Sequence, residues 1–182
     1  MKNVLYLKVF IVLMLMLIGC GTGGQDSSPE EDYNSGDDKN GEEDEQLSGV
    51  DALLNQLTFD VDVQAGEDSV KFDMKLIHEG EDDMTISFSS GQKFEVVVTD
   101  LESDEELYRF SEGMMFTQAI VMEDLSPGDE LEFQDSWDYM KDGVRVDPSE
   151  YKVSVELIPY EVNEESIDDH PFKEEVTFEV PE

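Results

Sequence analysis

From Leu57 to its end this chain alternates. Leu57, Phe59, Val61 and Val63 are interleaved with Thr58, Asp60, Asp62 and Gln64, and Val70, Phe72, Met74 and Leu76 with Lys71, Asp73 and Lys75. Successive side chains of an extended chain point to opposite faces, so a period of two gives each run one apolar and one polar face. The pattern recurs in Met84-Ile86-Phe88, Phe94-Val96-Val98, Leu131-Phe133, Tyr151-Val153-Val155-Leu157 and Val176-Phe178-Val180. Shorter strands are predicted over residues 107–110 and 119–122. No segment keeps a helical period beyond a weak turn over Val50 to Leu54. Such a chain buries its apolar faces sheet against sheet.

The runs are separated by Ala65-Gly66, Glu79-Gly80, Ser90-Gly91, Pro127-Gly128 and Asp142-Gly143, dipeptides suited to tight turns. About nine short strands with turns at this spacing predict an all-β fold, an antiparallel β-sandwich of two packed sheets, over residues 48–182.

Charge narrows the partners. Eleven Lys and Arg face 47 Asp and Glu, a net charge of −36. Nucleic acid, whose phosphates need cations opposite them, is excluded as a partner, and so is direct adsorption to an anionic membrane surface. The predicted sandwich alone has 37 acids against eight bases. Self-repulsion at that density predicts a fold that salt stabilises.

Residues 21–47 have ten acids, one lysine and only Tyr33 and Leu47 as large apolar groups. Such a stretch cannot offset the entropy of folding, and it reads as a disordered acidic linker with an end-to-end distance of about 30 Å. Ahead of it, Lys2 and Lys8 precede the uncharged run Val9 to Ile18, the pattern of a secretory signal over residues 1–19. Leu17-Ile18-Gly19-Cys20 resembles the bacterial lipobox, in which a small residue precedes a cysteine whose thiol receives a diacylglyceryl group. The resemblance implies lipidation at Cys20, the single cysteine of the chain, and two acyl chains suffice for stable anchoring. Residues 20–47 would then tether the sandwich to the extracytoplasmic face of the cell membrane.

Catalytic patterns are weak. His78 follows a strand and His170 precedes Pro171, neither beside a nucleophile or at ligand spacing, and no G-x-S-x-G turn occurs. The acidic stretch Asp100 to Glu106 reads as a solvated strand connection rather than a calcium loop. A non-enzymatic protein is expected, with no metal and no cofactor.

Four pieces, in order and at characteristic spacing, resemble the bacterial intracellular proteinase inhibitor (BsuPI) family. They are Ser90-Gly91-Gln92-Lys93-Phe94; Tyr108-Arg109-Phe110-Ser111 with Phe116-Thr117-Gln118-Ala119; Leu125-Ser126-Pro127-Gly128; and Trp137 with Tyr151-Lys152-Val153. The resemblance spans residues 57–160. It implies an immunoglobulin-like sandwich and inhibition of a subtilisin-like serine protease. Glu150 stands where the family usually has glycine, and an exported protein cannot regulate a cytosolic protease.

Most matched positions read as architecture: Gly91 and Gly128 in turns, Trp137 in the core, and Gln118 beside Phe116, where it would satisfy buried backbone groups. Inhibition requires an exposed, rigid loop that fills a protease pocket. Two apolar loop patches qualify: Met114 and Met115, ahead of Phe116, and Tyr139 and Met140 in "DSWDYMKDG". The expected partner is a subtilisin-like protease. The rival is another envelope protein, bound without inhibition by an exposed sheet edge or loop.

Overall fold

The computed structural model describes residues 49–182. After one short helix, α1 (Gly49–Leu54), the strands are β1 (Leu57–Ala65), β2 (Val70–His78), β3 (Met84–Phe88), β4 (Phe94–Asp100), β5 (Glu106–Arg109), β6 (Val121–Leu125) and β7 (Glu130–Trp137). They continue with β8 (Met140–Lys141), β9 (Val144–Arg145), β10 (Glu150–Leu157), β11 (Glu161–Val162), β12 (Glu165–Ser166) and β13 (Lys173–Glu179). The first sheet runs β1-β2-β7, the second β13-β10-β4-β5 and the third β12-β11-β3-β6, while β8 and β9 form a separate hairpin. All these pairings are antiparallel. The all-β, antiparallel sandwich expected from the alternation is therefore the fold found. The strand expected over 119–122 begins later, at Val121.

Alternation explains the packing. Val70, Phe72 and Met74 of β2 and Trp137 of β7 face Val96 and Val98 of β4, Val153 and Val155 of β10 and Phe178 of β13, all buried. A second cluster joins Leu57, Leu76, Met84, Ile86, Phe88, Leu125, Leu157, Val162 and Phe172. Phe59, Phe94 and Phe133 pack against both clusters, so the core is continuous between them. Burying each such side chain contributes about 1.5–3 kcal/mol. Trp137 is a core residue, as expected of a large aromatic side chain in a sandwich.

His78 closes β2 and is fully buried. Its ring satisfies the polar groups around it: Nε2 lies 2.7 Å from the Asp82 carbonyl oxygen, and Nδ1 accepts the Gly80 N–H at 3.3 Å. At the far end of the sandwich Asp100 Oδ1 accepts the N–H groups of Glu102 and Ser103, so that carboxylate shapes the turn into β5.

Candidate functional site

Residues 110–120 must cross between sheets, because β5 is the outer strand of the second sheet and β6 the outer strand of the third. Their path is fixed at both ends. At the first end Glu95, on β4, accepts the Ser111 N–H at 3.1 Å with Oε1 and the Ser111 hydroxyl with Oε2. Gln92 donates to the same carboxylate at 3.2 Å, and the Arg109 guanidinium stands 3.6 Å away. The Val96 N–H donates to Oε1 as well, at 3.2 Å, and a half-buried carboxylate is tolerated when its oxygens have donors of this kind.

The second end is held by rings and by a close backbone approach. Phe116 rests 5.9 Å from Phe110, which stacks on Phe94 at 4.2 Å, so the loop joins the aromatic centre of the core. Gly91 donates its N–H to the Thr117 carbonyl at 2.9 Å. A Cβ at position 91 would fall 2.6 Å from Thr117 Oγ1, closer than such atoms pack. Glycine is needed here for the approach of two segments rather than for a turn, as the sequence had suggested.

Between these two attachments the chain folds back through Glu112 N–H to Arg109 oxygen and Met114 N–H to Ser111 oxygen, both 3.1 Å, with Gly113 at φ +72°. The consequence is the exposure of two apolar side chains. Met114 is 52% exposed and Met115 98% exposed. Gln118 is exposed and directs Nε2 at the Phe116 carbonyl 3.4 Å away, so it satisfies no buried group, contrary to expectation.

The strand that carries the loop is tied to the opposite sheet. Tyr108 of β5 donates its hydroxyl to both oxygens of Asp135 on β7, at 2.9 and 3.1 Å, while its ring stacks on Trp137 at 6.2 Å. Burial pushes the Tyr108 hydroxyl above the ordinary phenol range, and the Asp135 charge adds to the effect. Burial likewise pushes the Asp135 carboxyl up, against the pull of the Ser136 N–H and the Tyr108 hydroxyl.

The other predicted patch divides. Tyr139 was expected to be exposed and is instead completely buried. Its backbone has φ +63°, its ring meets Trp137 edge-on at 5.6 Å and its hydroxyl donates to the Gly66 carbonyl at 2.9 Å. Arg145 covers the ring from 5.0 Å, and Trp137 Nε1 donates to the Met140 carbonyl at 3.0 Å. Asp142 and Gly143 turn the β8–β9 hairpin with positive φ at both positions. Met140 and Val144 are the exposed apolar residues of this hairpin. Tyr139 is thus a support, and Met140 alone of that pair is available to a partner. Cys20 lies outside the described residues.

Glu95, Ser111, Phe110 and Asp135 have site roles that sequence reasoning did not assign. The contacts that attach the loop and its strand join residues distant in sequence: Glu95 and Ser111 are 16 residues apart and Tyr108 and Asp135 are 27 apart. One signal did mark Phe110 and Ser111: the pieces 90–94, 108–111 and 116–119 that resemble the inhibitor family contain them, together with Gly91 and Thr117. Met114 and Met115 lie between those pieces.

The fold is thus an antiparallel β-sandwich, and its candidate site is an apolar loop held in the open at both ends. The chain belongs to the intracellular proteinase inhibitor family, BsuPI, whose profile matches residues 57–161. Membership supports a proteinase-inhibitor-like role and a protease as the class of partner. No curated protein matches the chain in sequence. Among solved structures it is similar to β-glucosidase 3B from Thermotoga neapolitana in complex with glucose, at 16% identity and a TM-score of 0.37, covering 69% of this chain and 16% of that one. It is also similar to β-glucosidase from Kluyveromyces marxianus in complex with glucose, at 17% identity and a TM-score of 0.38 over 69% of this chain and 14% of that one. The sporulation control protein Spo0M from Bacillus subtilis follows at 11% identity and a TM-score of 0.33, over 69% of this chain and 48% of that one. The chain covers less than half the length of each, and likenesses this distant have no bearing on activity.

Proposed function

We propose that this chain inhibits a subtilisin-like serine protease by seating Met114 and Met115 in its substrate cleft, acting on the extracytoplasmic face of a membrane to which lipidated Cys20 anchors it. The observation that carries the reading is the 98% exposure of Met115 on a loop held at both ends. Apolar side chains fixed in the open bind with a smaller ordering cost than flexible ones, and a long unbranched thioether suits an apolar specificity pocket. Ser111 and Thr117 are attached to the sandwich independently, so hydrolysis of a bond within 112–116 would leave both new ends in place.

The test is a titration of the full chain against a panel of subtilisin-like proteases. Saturable inhibition is expected, weakened at least about tenfold by Met114→Ala/Met115→Ala with an unchanged melting temperature, since loss of two apolar contacts removes binding and no core. Failure to inhibit any of them at tens of micromolar, or equal inhibition by the double variant, overturns it. Incorporation of labelled lipid into the wild type and not into Cys20→Ala tests the anchor.

A second reading is favoured by β6, an outer strand flanked by the exposed Ile120 and carrying the exposed Met122. Its open backbone edge suits addition of a strand from another envelope protein, without inhibition. A folded chain that inhibits nothing and is not cleaved would favour this alternative.

A further inference from the structure

We infer that Met114 and Met115 are oxidative modification sites, and that conversion of their thioethers to sulfoxides by a peroxide switches off the binding loop. The inference rests on the inhibitory reading of that loop. Of the six methionines among the described residues, Met74 and Met84 are buried in the core, while Met114, Met115, Met122 and Met140 are exposed. Access of a small oxidant follows exposure, which ranks Met115 first.

The chemistry needs no group from the protein beyond the sulfur. A thioether lone pair attacks one oxygen of hydrogen peroxide, the O–O bond breaks and an S–O bond forms. The transferred hydroxyl then gives its proton to the departing hydroxide, which leaves as water. Sulfur is oxidised by two electrons and the peroxide is reduced by two. The product is polar and chiral where the side chain had been apolar and flexible.

The position of the two residues decides what this change affects. Met115 is almost free of intramolecular packing, and the loop around it is fixed by Glu95 with Ser111, Gly91 with Thr117, and Phe110 with Phe116. A sulfoxide there costs the fold nothing that those contacts supply. Its cost falls on the partner, whose apolar pocket would have to take up a dipole without a hydrogen-bond donor. Burial of Met74 and Met84 in the two core clusters keeps the sandwich itself out of reach of the same reagent.

The experiment exposes the folded full chain to dilute hydrogen peroxide, maps oxygen addition by peptide mass spectrometry, and measures melting temperature and inhibition on the same samples. Expected are addition at Met115 first, then at Met122, Met114 and Met140, none at Met74 or Met84, an unchanged melting temperature, and inhibition weakened at least about tenfold. Treatment with methionine sulfoxide reductases for both epimers and a dithiol should restore it. In Met114→Leu/Met115→Leu, whatever its starting inhibition, peroxide should cause no further loss, whereas Met122→Leu/Met140→Leu should stay peroxide-sensitive. Undiminished inhibition with both loop sulfoxides formed overturns the switch alone. An untreated chain that inhibits no protease overturns the functional reading and the switch with it.

Discussion

The Tyr108 hydroxyl donates to the Asp135 carboxylate from the opposite sheet, at 2.9 and 3.1 Å. This contact fastens β5, the strand leading into the exposed loop, to β7. Tyr108→Phe deletes the donor and leaves a half-buried carboxylate with less hydration than it needs. A loss of about 1–2 kcal/mol is expected in urea unfolding at neutral pH. Asp135→Asn acts oppositely. Burial raises the carboxyl's pKa in the folded state, so the native protein holds that proton more tightly than the unfolded chain does. The resulting stabilisation is present at acid pH and disappears as pH rises through the folded-state pKa. Asp135→Asn should therefore be at least as stable as the wild type at pH 7, with the difference shrinking as pH falls. An advantage that grows on acidification would contradict this assignment.

Tyr139 offers a test that separates support from recognition. Tyr139→Phe removes the hydroxyl that donates to the Gly66 carbonyl while leaving the ring against Trp137 and beneath Arg145. A stability loss of about 1 kcal/mol is expected, with protease inhibition unchanged. A large loss of inhibition at unchanged stability would return Tyr139 to the contact surface.

Tyr139 also shows where reading from sequence reaches its limit. Strict alternation made the long strands legible, and the tendency of large aromatic side chains to face a sandwich core placed Trp137 there. The same parity puts Tyr139, two residues later, on Trp137's side, yet its acidic neighbours Asp138 and Asp142 made the segment look like an exposed loop. Parity kept the ring on the core side, and the positive φ at this non-glycine residue, which composition does not show, is part of the turn that follows it. The two-residue strands β8, β9, β11 and β12 are too short to show any period. In the loop, Met114 and Met115 were found from their apolarity, but Glu95 was one acid among many. Only folding brings it to Ser111, 16 residues away.

Acidity gives a third expectation. The sandwich region has 37 acids against eight bases, so most carboxylates face like charge even though Lys75 pairs with Glu130 and Glu132. Screening shortens the reach of that repulsion to about 3 Å at 1 M salt. The melting temperature should therefore rise between low and molar NaCl, by several degrees in a scanning calorimeter. A flat or falling dependence would mean that the surface pairs outweigh the repulsion.

The contact between Gly91 and Thr117 can be tested as a pair. Gly91→Ala places a methyl group 2.6 Å from Thr117 Oγ1, and the backbone hydrogen bond from Gly91 to Thr117 must lengthen or tilt to make room. Overpacking of this kind costs about 1–3 kcal/mol, and here the strain falls on one attachment of the loop. Gly91→Ala should lower stability, speed amide exchange over residues 113–117 and weaken inhibition together. Thr117→Ala removes the obstructing hydroxyl and should be mild alone. Combined with Gly91→Ala it should recover much of the loss, giving a coupling of about 1 kcal/mol in a double-mutant cycle. Simple additivity would show that the close approach does not hold the loop.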